Sequence, residues 1–188
     1  MSVRPSVLGR VCGSCTLCCK LINVISVNKE RGEWCVHCNP KGGCNIYADR
    51  PYECTTFLCG YLAQENVGEH WFPKKSRMVL IDRTGPTGSN ITVFVDNTAP
   101  DVWREPLYYR DIKNWARSFP PDRVQILVIV KDRVFVILPD KDVDLGDVRP
   151  DQLIITKVTT TPTGPAYDAL VMEQDDPRAA ALGGSRPT

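Results

Sequence analysis

Histidine is scarce in this 188-residue chain: there are two, His37 and His70. With so few, no Ser-His-Asp or His-rich zinc hydrolase constellation is persuasive. Long apolar runs are also lacking. The longest, Ile126–Val130 and Val134–Leu138, are five residues each, far below the ~20 that a membrane-spanning helix needs. The N-terminal stretch MSVRPSVLGRVCG has no apolar h-region, so no secretory signal is read and a soluble, cytoplasmic protein is expected. Nor is there an excess of either charge, since 23 Lys+Arg against 22 Asp+Glu leave +1. That balance argues against a nucleic-acid binder working through a general basic field and against a solvating acidic tail. Neither nucleic acid nor membrane is therefore expected as a partner. No internal repeat is visible, and nothing matches the phosphate loop GxxxxGK[ST].

What the chain does have is cysteine, and in one place. All nine lie between Cys12 and Cys59, and the rest of the chain carries none. Such density over a short stretch means a disulfide scaffold, a metal site or a cluster. A reducing cytosol disfavours disulfides. The odd count and the adjacent pair Cys18–Cys19 also fit a disulfide framework poorly, because a bridge between neighbours is strained. Metal or cluster ligation is the preferred reading, ahead of redox or catalytic thiols and of inert buried thiols, with Cys12, Cys15, Cys18, Cys19, Cys35, Cys38, Cys44, Cys54 and Cys59 as candidate ligands.

Spacing sharpens this without completing it. Cys12-Gly-Ser-Cys15-Thr-Leu-Cys18-Cys19 holds two overlapping C-x2-C steps. A two-residue spacer lets a tight turn aim two sulfurs at one ion, and Gly13 and Ser14 suit such a turn. Three cysteines in C-x2-C-x2-C resemble the opening of a bacterial ferredoxin run, which holds a [4Fe-4S] cube, except that Cys19 follows Cys18 at once. The neighbours Cys18 and Cys19 are expected to point apart and to serve different centres or roles. Cys35-Val-His-Cys38 taken with Cys12 and Cys15 reads instead as C-x2-C-x19-C-x2-C, a zinc-ribbon spacing. Both pairings stay open. His37 is either a spacer turned to solvent or a group that ligates metal or donates to a sulfur, and His70 reads as a packed loop residue.

Gly43-Cys44 opens a turn, and the stretch from Pro51 reads as a short helix with Pro51 at its start and Glu53 in its first turn. Cys54 and Cys59 would sit about 140° apart on that helix. The helix must then end before Gly60, or the two serve different centres. Arg50 either offsets an anionic cluster or pairs with Asp49 or Glu53.

The order CxxCxxCC, then a cysteine, then GC-x-IY-x-x-RP-x-x-C-x-x-F-x-C resembles the YkgJ-type cysteine-cluster family, described as a zinc- or iron-chelating domain. The matching positions are Cys12, Cys15, Cys18, Cys19, Cys35, Cys44, Cys54 and Cys59, with Ile46, Tyr47, Arg50, Pro51 and Phe57 between them. Cys38 is an addition to the pattern. The resemblance implies an iron-sulfur cluster, of the [4Fe-4S] kind, at least as readily as zinc. Relatives include flagellin lysine modification enzymes, but this chain lacks their length and that activity does not carry over.

The expected fold class is α+β: a cysteine-rich metal-binding module followed by a small, mostly antiparallel sheet with one packed helix. The boundaries read as a mobile N-terminus 1–11, the cysteine module 12–62, an α+β body 63–158 and a mobile C-terminal tail 159–188. Within the body, Met78–Ile81 and Ile91–Val95 are strand-like around a loop at 82–90. A helix opens near Pro106 with Tyr108, Ile112, Trp115 and Phe119 on one face, and Pro120-Pro121 stops it. Val124–Lys131 and Arg133–Pro139 form a hairpin, and 153–158 adds a strand. Trp103, Tyr108, Tyr109 and Trp115 read as a core stripe rather than an aromatic binding surface. The body shows no nucleophile or acid-pair motif, so whether the protein is an enzyme stays open. Two functions are carried forward. One is an iron-sulfur protein for redox or cluster-dependent chemistry, whose body docks a protein partner or substrate. The other is a structural zinc module of a protein-interaction protein.

Overall fold

The computed structural model describes residues 6–85 and 88–178. The protein is α+β. Its main sheet has five strands in the order β3-β4-β5-β6-β7, where β3 is Met78–Gly85, β4 Gly88–Val95, β5 Val124–Val130, β6 Arg133–Ile137 and β7 Asp142–Asp147. A ribbon of β8 (Gln152–Thr161) with β9 (Gly164–Glu173) and a miniature ladder of β1 (Cys38–Asn39) with β2 (Gly43–Cys44) make separate two-stranded sheets. The helices are α1 (Cys18–Leu21), α2 (Tyr52–Thr56), α3 (Gly60–Ala63), α4 (Pro73–Ser76) and α5 (Pro106–Ser118). No helix among the described residues is long and apolar enough to cross a membrane. The chain forms two compact units, Met1–Ile81 with Val93–Val102, and Asp82–Thr92 with Trp103–Thr188.

In the second unit the hydrophobic runs behave as their composition dictates. β5 and β6 pair antiparallel in the register Leu127↔Val136 to Val130↔Arg133, closed by Lys131 in the left-handed region at φ 56°. Ile126 to Ile129 are buried, as a strand apolar on both faces must be in mid-sheet. α5 begins at Pro106 and buries Tyr108 and Ile112 as its periodicity requires. Phe119 falls beyond the helix and is 40% exposed. The buried face takes Lys113 instead, whose ammonium donates to the carbonyls of Leu138 (2.7 Å) and Lys141 (3.1 Å) and to Asp142 (2.9 Å). Trp103 is fully buried against the Phe135 ring, centroids 5.2 Å apart, which places it in the core.

Three expectations are corrected. The loop at 82–90 is shorter than its turn-rich composition suggests, because strand pairing carries β3 through Gly85 and starts β4 at Gly88. The C-terminal segment from 159 does not begin a tail: Val158 and Thr159–Thr161 are β-branched, and they pair with Gly164–Tyr167 in the unbroken β8–β9 register. Residues 179–188 of that tail lie outside the described residues. At the other end, Val7 N–H donates to Leu62 O (2.7 Å) and Arg10 is tied down by several bonds, so 7–10 are held; residues 1–5 lie outside the described residues.

The first unit has a charged knot in its interior. Asp96, 2% exposed, accepts from Lys20 Nζ (2.6 Å), Arg77 Nη2 (2.7 Å), Thr98 N–H (3.0 Å) and the Thr98 hydroxyl (2.9 Å). Burial pushes this carboxyl up, but the Lys20, Thr98 and Arg77 donors outweigh it and hold it at about 2, below the ordinary 3.8. A depressed carboxylate stabilises the fold above about pH 4 and loses that contribution as pH falls toward its folded value. Asp96→Asn should cost about 3 kcal/mol at pH 6 by stranding two cations. It should also lose less further stability between pH 4 and 2 than the parent protein, as measured by urea unfolding. An equal loss across that window in both proteins would contradict this account.

Candidate metal centre

The cysteine segment is built from short turns that carry sulfurs inward. Gly13 adopts φ 54°, where a side chain would be strained, and the turn closes with Cys15 N–H donating to Cys12 O at 2.9 Å. Cys18 and Cys19 open α1 side by side, so their side chains diverge by about 100°. Cys35 returns to α1, its N–H donating to Cys19 O (2.9 Å), and Cys38 N–H donates to Cys35 O (2.9 Å). Gly43, at φ 104°, turns the chain so that Cys44 pairs directly opposite Cys38 in the β1–β2 ladder.

The expected single helix after Pro51 is two. α2 ends at Thr56, where the hydroxyls of Thr55 and Thr56 bond back to Tyr52 O (2.7 and 3.0 Å) and compete with helix propagation. Phe57 is extended, and Cys59 stands at the N-cap of α3. Cys54 and Cys59 are therefore not bound by one helical wheel. Gly60 lets α3 approach closely, because a Cβ there would come within 2.8 Å of the Leu80 side chain.

All nine cysteines are free, with Cys59 buried, Cys12 exposed and the rest half-buried. Their mutual influence groups them into two neighbourhoods that overlap at Cys19, which also acts on Cys12 and Cys15. Cys59 lies within electrostatic reach of Cys12 and Cys15, and Cys18 also faces these two. Cys54 faces Cys19, Cys35 and Cys44, and Cys38 faces the same three. The vicinal pair Cys18–Cys19 stands at the seam. This grouping differs from the ribbon pairing of Cys12 and Cys15 with Cys35 and Cys38.

Burial pushes the Cys12, Cys15 and Cys54 thiols up, and it pushes Cys59 up to about 11 and Cys38 up to about 12. Cys19 goes the other way, to about 6, first because the Cys18 thiol donates a hydrogen bond to it and then through Cys38 and Lys29; Cys18 is raised in return. Nearby backbone N–H groups oppose the upward push of burial, those of Leu17 and Lys74 at Cys15 and those of Leu62 and Tyr61 at Cys59. A thiol is a weak acceptor, so such donors matter most to an ionised sulfur.

Basic residues surround this segment. The Arg50 guanidinium lies 3.9 Å from the centre of the Tyr47 ring, donates to Tyr47 O (3.0 Å) and faces Cys12; it makes no ion pair with Asp49 or Glu53. Burial pulls the Lys29 ammonium down to about 8, against the opposing pull of Cys19, Cys35 and Cys18. Nothing in the sequence marks Lys20 or Lys29 as interior, yet both are buried. His37 contributes its backbone carbonyl, which accepts from Asn45 N–H (2.8 Å), and His70 sits in the turn 69–71 beside Trp71.

Among the described residues no three Cys, His, Asp or Glu side chains form a group that could hold a metal ion as they stand. The donor set is nevertheless soft and of one kind, which suits zinc and iron-sulfur clusters. No protein-family model, no curated protein and no solved structure matches the chain.

Arg10 fastens one neighbourhood. Its guanidinium donates to the carbonyls of Tyr61 (2.7 Å), Gln64 (2.9 Å) and Val67 (2.7 Å), and so anchors the segment leading to Cys12 beside the helix that follows Cys59. Arg10→Ala would take this donor from the Tyr61 and Val67 carbonyls and leave Gln64 O only the Val67 N–H (3.3 Å), and should cost about 2–3 kcal/mol of unfolding free energy. Arg10→Lys, which lacks the planar fork, should recover less than half of that. Denaturant titration of the three proteins measures it, and an Arg10→Ala variant as stable as the parent would contradict the assignment.

Proposed function

We propose that residues 12–62 are a thiolate-ligated metal module, holding an iron-sulfur cluster that serves redox or cluster-dependent chemistry in the cytoplasm. The observation that carries this reading is the gathering of all nine free cysteines into two neighbourhoods around Cys18–Cys19. The motif order that resembles the YkgJ-type cysteine-cluster family points the same way. The ligand candidates are Cys12, Cys15, Cys18 and Cys59 on one side and Cys19, Cys35, Cys38, Cys44 and Cys54 on the other. A cluster of the [4Fe-4S] kind would supply one-electron chemistry, which its surrounding N–H donors tune. The body docks an unidentified protein partner or substrate.

A structural zinc module is the second reading. It is favoured by the tight Cys12–Cys15 and Cys35–Cys38 turns and by enough thiols for closed four-sulfur sites. Anaerobic purification with iron, zinc and acid-labile sulfide analysis separates the two. Iron with sulfide and visible absorption is expected; a colourless zinc protein would support the second reading, and a protein free of both metals would end both.

Ligation energy in small zinc modules is on the order of 10–16 kcal/mol at neutral pH, so metal should be folding energy here. Chelation should expose 12–62 to protease while β5, β6 and α5 stay resistant; unchanged protection of the cysteine segment would count against it. The two neighbourhoods also differ in redundancy. Cys38 belongs to a set of five sulfurs, one more than a four-coordinate centre uses, whereas Cys15 belongs to a set of four. Cys15→Ser should therefore lose more bound metal than Cys38→Ser, and equal losses by elemental analysis would contradict this division.

A further inference from the structure

Two lysines of the cysteine segment are buried, and the fold treats their charges differently. Lys20, 6% exposed, is neutralised by Asp96 at 2.6 Å. Lys29 is equally buried at 6%, yet its ammonium donates to two backbone carbonyls, Lys20 O at 2.6 Å and Ile22 O. Carbonyls satisfy N–H groups but carry no net charge. Among the described residues no carboxylate pairs with Lys29. An ammonium has three donors, and the third is left without an acceptor among the described residues. The charged and ionisable groups that face it are Cys19, Cys35 and Cys18, with Arg31 as a further cation.

A buried cation with no anion is costly, and the same is true of a buried metal centre wrapped in thiolates, which is net negative. Each removes the other's penalty. We propose that Lys29 is a positioning and charge-compensating residue for an anionic thiolate–metal centre that includes Cys19 and Cys35. This inference rests on the metal-module reading above and adds the charge of the centre to it. The two carbonyl bonds give Lys29 a second task. They grip the end of α1, the helix that carries Cys18 and Cys19, so the counter-ion and the ligands are set on one frame. The isolated bridge Val24↔Lys29 fixes where the side chain departs.

The test uses the full chain, reduced and metal-free, titrated anaerobically with Co(II) against a competing chelator at constant pH. Co(II) reports both affinity and, through its visible bands, the thiolate ligand set. Lys29→Gln keeps an N–H2 group for the carbonyls without the charge, Lys29→Met removes both, and Lys29→Arg keeps the charge. Outer partners of ligands typically matter by 10–100-fold in affinity. Lys29→Gln should thus bind Co(II) about tenfold more weakly than the parent with band positions unchanged, and Lys29→Arg should stay within about threefold. Lys29→Met should be no tighter than Lys29→Gln. Should Lys29→Met fail to fold, the Gln and Arg variants decide. Parental affinity in Lys29→Gln overturns the proposal while leaving the metal module intact. Equal weakening in Lys29→Gln and Lys29→Arg with altered bands also overturns it, because the role is then purely structural. A parent protein that takes up no Co(II) overturns both the module and the role of Lys29.

Discussion

Backbone carbonyls at the ends of short elements are gripped in this protein by basic side chains with little exposure, in several cases beside a backbone N–H, and the local fold depends on that device. α1 and α3 have four residues each, too short to satisfy their own last carbonyls by continued helix. Lys29 takes the carbonyls of Lys20 and Ile22 at the end of α1, and Arg10 takes those of Tyr61, Gln64 and Val67 around the end of α3. In the second unit Lys113 does the same for Leu138 and Lys141 between β6 and β7. In each case a long aliphatic stem crosses apolar surroundings and delivers its donors at the tip. The arrangement suits a cysteine segment poor in large apolar residues, where packing alone supplies little.

The vicinal cysteines give the segment its internal geometry. Two consecutive helical residues diverge, and Cys18 feels Cys12 and Cys15 while Cys19 feels Cys38 as well as acting on Cys12 and Cys15. Cys18 and Cys19 nevertheless shift each other in opposite directions, so the two neighbourhoods touch at the vicinal pair. A proton or charge change on one side is felt on the other without any intermediary residue.

Local patterns carried the body well. The apolar runs of β5 and β6, the turn between them and the four-three spacing of α5 are period signals, and period is a property of neighbours in sequence. The class α+β followed from those elements. Three features escaped because their causes are not local. Threonines 159 to 161 looked like tail composition, and their role appears once Gly164–Tyr167 is laid against them. Lys113 interrupted an apolar face for the sake of carbonyls 25 and 28 residues away. The division of the cysteines depends on bringing Cys59 beside Cys12, which spacing rules that pair near neighbours do not encode. Glycines 13 and 43, by contrast, were readable, since each marks a turn that must bend the chain within two or three residues.

The ion pair between Lys20 and Asp96 spans 76 positions of the chain, and that separation has a consequence during synthesis. A growing polypeptide leaves the ribosome N-terminus first. Every cysteine has been translated before Asp96, and before β4, in which Val93, Phe94 and Val95 are buried. The nascent thiol segment therefore spends an interval in the cell open, with Lys20 unneutralised and its interior incomplete. The sulfurs stay accessible while the later residues are still to come, and the arrival of Asp96 closes the door behind them.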